Sequence, residues 1–325
     1  MPEPWPVFHG DNAPHDGIEA LPAPPPWRDF SAERRRADPY VIGPETRDRV
    51  NAALLLRRPL LATGRPGTGK SALAYAVAKE LGLGRVLHWP ITSRTSIEEG
   101  LYVYDGLGRL QDAGPQRGGP RTAGRRRTRG GGGAADYITL GPLGTALHTP
   151  AGERPRVLLI DEFDKGDADL AYDLLNVLEE GSFRIPELAR GASGPGLARV
   201  ATADPGGRAL VRDAVVQCGS FPFIVLTSNG YREFPPALLR RCIQVDLQEP
   251  RREQLAEIVR QHLGTLPDEE LDPLLSEFLA RRSTRLLATD QLLNAVYLVS
   301  AGALANGWTP LELADIVFQN LGEPV

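Results

Sequence analysis

Cysteine is nearly absent from this chain: Cys218 and Cys242 are the only two among 325 residues. Two are too few for a disulfide framework, or for a zinc site without several histidines close by. Long hydrophobic runs are missing as well. No stretch approaches the roughly 18 apolar residues of a transmembrane helix, which excludes a membrane span. Nor does one sign of charge dominate, since 37 Lys and Arg stand against 41 Asp and Glu for a net charge of −4. That balance argues against nucleic acid or an anionic membrane as the main partner. The opening residues, MPEPWPVFHGDN, lack the basic start and apolar stretch of a signal peptide. The expectation is a cytoplasmic protein. Its 42% hydrophobic and 24% charged residues describe an ordinary globular chain with room for two domains.

Proline and glycine are distributed unevenly. Residues 1–39 form a proline-rich leader, including Pro24, Pro25 and Pro26. Proline fixes φ and removes a donor, so this arm is expected to be extended rather than helical. It is either a disordered leader or a segment that lies down on the body. Trp5, Trp27 and Phe30 argue for docking, because wholly disordered tails are poor in such residues. Residues 112–135 carry Arg117, Arg121, Arg125, Arg126, Arg127 and Arg129 and end in a glycine run. Nothing there builds a core, so a mobile loop is expected: a solvated tip, or an electrostatic hand for phosphate or an acidic partner. No aromatic is interleaved for base stacking, which favours the tip. Residues 189–209 read as another long surface loop.

Between these segments, short β-like runs alternate with helical patterns. Residues 59–63, 85–89, 156–160, 223–227 and 242–247 predict buried strands, and 70–81, 167–180 and 235–240 predict helices. Such alternation gives an α/β fold, a parallel sheet flanked by helices. From residue 249 only helices are predicted, over 251–263, 268–282, 288–302 and 310–321. The expected organisation is therefore a core over 40–248 and a small all-helical domain over 249–325.

The sharpest local feature is Gly64-Arg65-Pro66-Gly67-Thr68-Gly69-Lys70-Ser71, which meets the spacing G-x-x-x-x-G-K-[ST] in full. A strand precedes it and an alanine-rich helix follows, as a phosphate-binding loop requires. Its glycines let successive N–H groups point at phosphate oxygens, and the helix N-terminus adds its positive end. Lys70 supplies a cation for the β- and γ-phosphates of ATP, and Ser71 a hydroxyl for Mg²⁺. Further on, the apolar run Val157–Ile160 ends in Asp161 and Glu162. Asp161 suits Mg²⁺, held through water because that ion keeps much of its hydration shell. Glu162 suits the role of accepting a proton from the attacking water. A third run, Phe223–Thr227, ends in Ser228 and Asn229, and its strand is expected beside that of Asp161. Asn229 then serves as a neutral sensor near the γ-phosphate. Arg240 and Arg241 close a short predicted helix and are placed to reach a neighbouring subunit.

Four segments, GRPGTGKS, VLLIDEFDKGDADLAYDLLNVLEEGSFRIPEL, IVLTSN and FPPALLRRC, together resemble the AAA+ ATPase superfamily of P-loop NTPases, and within it the MoxR-like ATPases. The likeness covers about residues 40–325, and the second segment is its most specific part. It implies ATP and Mg²⁺ bound at the subunit junctions of a homo-oligomeric, hexameric ring, with the helical domain as a lid. By resemblance, Lys70 and Ser71 take the Walker A roles, Asp161 and Glu162 the Walker B roles, and Asn229 that of sensor 1. The arginine finger is Arg240 or Arg241, with Arg240 preferred. Sensor 2 falls among Arg281, Arg282 and Arg285, where RRSTRLLATDQ departs from the usual lid pattern. The adenine is expected against Tyr40, Val41, Ile42 and Gly43. The resemblance also implies an Arg/Gly-rich hairpin insertion at about 107–140, beginning after Gly100–Asp105 and returning at Tyr137–Leu143, with the Arg/Gly segment as its expanded tip. A second hairpin is implied around 184–222.

The function so implied is ATP-driven remodelling of a separate client protein, or work with a von Willebrand factor A-type partner. No D-x-S-x-S metal motif exists in this chain, so such a partner is another polypeptide. A nucleic-acid-associated motor using the arginine-rich insertion is the alternative, weakened by the acidic balance. Tyr102 and Tyr104 either present side chains to a ring pore or pack at the root of the insertion.

Overall fold

The computed structural model describes residues 7–8, 10, 14–28, 41–113, 133–189, 196–302 and 307–319. It packs as two compact units. One comprises Asp48–Ala62 and Leu81–Val245; the other comprises Met1–Arg47, Thr63–Glu80 and Asp246–Val325.

The first unit is built on strands β1 (Leu60–Thr63), β2 (Leu87–Pro90), β5 (Val157–Asp161), β10 (Phe223–Thr227) and β11 (Ile243–Asp246). They form one sheet in the order β11-β1-β10-β5-β2. The β1–β10, β10–β5 and β2–β5 pairs are parallel. A parallel strand covered on both faces needs a continuous apolar run, and Val157–Ile160 and Phe223–Thr227 are buried at every residue. The five expected strands are therefore present, with ends displaced by one or two residues.

A second sheet in this unit holds β3 (Tyr102–Tyr104), β4 (Ile138–Leu140), β6 (Ser182–Arg184), β7 (Leu197–Ala201), β8 (Arg208–Arg212) and β9 (Val215–Gln217), in the order β3-β4-β7-β8-β9-β6. β3 and β4 pair antiparallel at the two ends of the expected insertion, with Tyr102 opposite Leu140. The surface loop expected over 189–209 is corrected here: 197–201 and 208–209 are strand, joined by a turn over 202–207. β7 and β8 pair antiparallel from Leu197↔Arg212 to Ala201↔Arg208, burying Val200, Ala209 and Val211. Flanking glycines had masked a short alternating pattern. The six arginines from Arg117 to Arg129 lie outside the described residues.

Helices α1 (Pro44–Leu56), α2 (Lys70–Glu80), α3 (Ile97–Leu101), α4 (Gly106–Ala113), α5 (Pro142–Leu147), α6 (Ala168–Glu180), α7 (Pro186–Ala189) and α8 (Pro236–Arg241) occupy the sequence between strands. α6 shows why such a segment is helical. Asp167 accepts from the Leu170 N–H at 2.8 Å, Leu170, Ala171, Leu174 and Leu175 fill one buried face, and Gly181 ends it at φ 61°. α4 was not expected, and its Leu107 and Leu110 are exposed.

The other unit contains α9 (Arg252–Leu263), α10 (Asp268–Arg282), α11 (Thr289–Ser300) and α12 (Pro310–Val317). They close on Leu255, Val259, Leu274, Phe278, Leu292, Val296, Leu313 and Phe318. α12 opens with a capping box: the Glu312 carboxylate accepts from the Thr309 N–H at 2.8 Å, and Thr309 Oγ1 accepts from the Glu312 N–H at 3.3 Å. The leader meets this cluster. Trp27 donates from Nε1 to Asn294 Oδ1 at 3.0 Å and sits edge-on to Tyr297, whose hydroxyl donates to the Ala23 carbonyl. Docking is thus the outcome at Trp27, while Trp5 and Phe30 lie outside the described residues. Among the described residues, no helix is long and apolar enough to cross a membrane.

Candidate functional site

The glycine loop leaves β1 and runs straight into α2. Gly64 adopts φ 141°, and a Cβ there would lie 2.6 Å from the Leu247 carbonyl oxygen. Gly67 adopts φ 78°, and its Cβ would lie 2.6 Å from that of Ala288. Both positions combine a left-handed backbone with close neighbours, which only glycine satisfies. Thr68 donates from Oγ1 to the Arg65 carbonyl at 2.9 Å, closing the loop on itself. Lys70, buried as the first residue of α2, donates from Nζ to the Gly64 and Arg65 carbonyls at 2.8 Å each. Its charge is held on the inner side of the loop. Ser71 follows, half-buried.

Above the loop lies a cavity of about 1020 Å³. Gly67, Thr68 and Gly69 form one wall, and Val41, Ile42 and Gly43 another. The structure therefore brings three of the residues expected to contact a base to the glycine loop; Tyr40 lies outside the described residues. Gly64, Pro66, Lys70 and Ser71 are not part of the lining. Residues 246–251 add to the lining, and a further wall not expected from the sequence comes from Ile258 and His262 of α9, then Ala288, Thr289, Asp290 and Leu293 at the start of α11. In sequence these helices show only ordinary amphipathic spacing, with no signal for a ligand.

The three arginines among which sensor 2 was expected differ in their commitments. Arg281 pairs with Glu277 and Asp315 and lies over the Phe318 ring. Arg282 stacks over Phe278, donates to the Pro250 carbonyl at 2.9 Å and faces Glu249 at 3.4 Å. Glu249 lines the cavity and pairs with Arg65 of the loop at 3.0 Å. Arg285 is exposed, does not line the cavity, and its side chain has no partner among the described residues.

The carboxylates occupy the first unit. Asp161 ends β5, and Thr227 ends the adjacent β10. The Thr227 hydroxyl donates to Asp161 Oδ1 at 2.6 Å and accepts from the Glu162 backbone N–H at 2.8 Å. Asp161 Oδ2 lies 3.3 Å from His88 Nε2. Glu162 stands at φ 57°, an uncommon conformation for a non-glycine residue that turns the chain sharply after the strand. Its carboxylate meets Lys165 Nζ at 2.7 Å, and that contact raises the Lys165 ammonium above its ordinary value.

Asp164 is the buried member of this turn. Its Oδ2 accepts from the Asn229 N–H at 2.9 Å and the Tyr231 N–H at 3.0 Å, while Oδ1 is buried with no partner among the described residues. Arg232 donates to the Gly166 carbonyl at 2.6 Å, and Phe163 stacks on Phe234 at 5.5 Å. The turn after β5 and the loop after β10 are thus zipped together, which fixes the Asn229 backbone. The Asn229 side chain is half-buried and without a hydrogen bond among the described residues. In sequence Asp164 is one acid among several after the apolar run, and nothing local marks it as the tie.

α8 ends in the two arginines, and they differ. Arg241 is ion-paired with Glu179 of α6 and donates to the Ala237 carbonyl at 3.3 Å. Arg240 is exposed with no partner among the described residues. Of the two tyrosines at the insertion, Tyr102 packs at its root. It stacks on Phe183 and donates to Glu187 at 3.0 Å, and burial with that carboxylate pushes its phenol up to about 12. Tyr104 accepts from Arg109 at 3.0 Å.

No protein-family model matches the chain, and no curated protein matches it. Among solved structures, the chain is similar to a point variant of RuvB from Thermotoga maritima, with 13% identity over 86% of this chain and 73% of that one, at a TM-score of 0.45.

Proposed function

We propose that this chain is an AAA+ ATPase of the MoxR-like type, with a core over 40–248 and a lid over 249–325, that couples ATP hydrolysis to remodelling of a separate protein. One observation carries the reading: a cavity whose walls join the glycine loop at Gly67–Gly69 to Val41–Gly43, where the MoxR resemblance puts the base. A volume of about 1020 Å³ lies at the upper end of ligand pockets and leaves room for a nucleoside triphosphate.

In this reading the loop N–H groups and Lys70 hold the phosphates. Lys70 already sits with its charge directed along the loop, so binding exchanges two carbonyl acceptors for phosphate oxygens. Mg²⁺ is held in such sites by one or two carboxylates plus phosphate oxygens, and Asp161 would be the carboxylate of that kind. When bound, the ion neutralises charge on the β- and γ-phosphates. Glu162 accepts the proton of the attacking water, and Asn229 orients that water. Arg240 acts on the nucleotide of a neighbouring subunit in a homo-oligomeric ring.

Lys70→Ala is the direct test. The parent protein is expected to hydrolyse ATP with Mg²⁺ and to stop when EDTA is added. The variant should lose nucleotide binding itself, measured with a fluorescent ATP analogue. Unchanged affinity in Lys70→Ala would refute the loop as the phosphate site.

A nucleic-acid motor is the second reading, favoured by one feature of the fold. Arg199, Arg208 and Arg212 share the exposed face of the β7–β8 hairpin with Leu197 and Leu210, and none has an ion pair among the described residues. Phosphate contacts of this kind are strongly salt-dependent. Salt-sensitive retention on DNA, lost when the three become serine, would put this reading first; absence of retention at low salt keeps the remodelling reading.

A further inference from the structure

We propose that His88 is a positioning residue for Asp161, fixing the carboxylate assigned above to Mg²⁺; the inference rests on that assignment. The carboxylate is gripped from both sides. Thr227 donates to Oδ1 at 2.6 Å from one neighbouring strand, and His88 Nε2 lies 3.3 Å from Oδ2 on the other.

The sheet register explains the second contact. β2 runs parallel to β5, with His88 beside Leu159 and Pro90 beside Asp161. Side chains alternate along β2: Leu87 and Trp89 are buried among apolar neighbours, whereas His88 is half-buried on the opposite face. A histidine in an otherwise apolar strand thereby reaches along the sheet to the end of the next one. Side-chain exposures of 31% for His88 and 21% for Asp161 leave the contact partly withdrawn from water. In its Nε2–H form His88 donates to the carboxylate. A carboxylate restrained at both oxygens keeps one orientation, so its remaining lone pairs point in fixed directions toward an incoming ion. Outer partners of metal-binding carboxylates act in this way, and their loss weakens metal affinity by roughly 10–100-fold.

The test uses the full chain with a non-hydrolysable ATP analogue and Mn²⁺ as the probe, followed by its electron paramagnetic resonance signal. His88→Ala is expected to weaken Mn²⁺ binding by roughly 10-fold or more while the thermal unfolding profile is retained. His88→Gln, whose amide nitrogen reaches the place of Nε2, should restore most of the affinity. Should the alanine variant fold poorly, His88→Leu against His88→Gln compares side chains of similar size, of which only one donates. Parent-like Mn²⁺ affinity in His88→Ala, or equal affinities in the leucine and glutamine variants, would overturn the proposal. Asp161→Asn separates this from failure of the underlying assignment. If that variant also binds Mn²⁺ like the parent, Asp161 is not the metal carboxylate; if it loses the ion while His88→Ala keeps it, only the role of His88 falls.

Discussion

Arg240→Ala is expected to remove nearly all ATP turnover while leaving nucleotide binding and the fold of each chain unchanged. An arginine supplied to a neighbour's γ-phosphate is worth on the order of 10³–10⁵ in rate. The geometry distinguishes it from its neighbour. Arg241 is held by Glu179 and by the carbonyl of Ala237, so its guanidinium serves α8 and α6. Arg240 stands exposed on the same short helix with no such commitment among the described residues. Arg241→Ala should therefore cost far less, since a half-exposed ion pair contributes little to stability. A mixing experiment isolates action in trans. Arg240→Ala chains retain an intact nucleotide site, and Lys70→Ala chains retain an intact Arg240. Each alone should be inactive, and the mixture should recover part of the parent rate. An inactive mixture of well-folded chains, or a parent-like rate in Arg240→Ala, would remove the finger role from Arg240.

Glu162→Gln is expected to bind ATP with parent affinity and to hydrolyse it roughly 10²–10⁴-fold more slowly, the usual contribution of a positioned general base. The substitution changes one oxygen to an amide and preserves shape, so φ 57° at this position imposes no new strain. The Glu162 backbone N–H donates to Thr227, a bond the side chain does not enter, so Asp161 and Thr227 stay as they are. Lys165 is the one contact that changes. That pair is about two-fifths exposed on both sides, so its loss is well screened and is not expected to unfold the turn. Single-turnover measurement with saturating ATP separates the chemical step from binding. A parent-like rate in Glu162→Gln would exclude this carboxylate as the base.

Sequence alone was sufficient wherever the physics is local. A loop that must present consecutive N–H groups needs glycines at fixed spacing, so residues 64–71 are legible without any fold. Strands buried on both faces need unbroken apolar runs, so Val157–Ile160 and Phe223–Thr227 are legible too. Where the pattern is short or interrupted, it fails: β7 and the start of β8 read as loop among glycines, although the resemblance implied a hairpin there. The remaining decisions belong to contacts between distant segments. His88 and Asp161 are 73 residues apart, and only the parallel register of β2 on β5 makes them neighbours. In sequence Arg240 is only narrowly preferred to Arg241, and α6 separates them by bringing Glu179 to Arg241. The cavity wall of Ile258, His262 and Leu293 likewise exists only once α9 and α11 have packed. Chain order encodes spacing within one element; which elements become neighbours depends on burying all apolar faces at once, a condition no single segment contains.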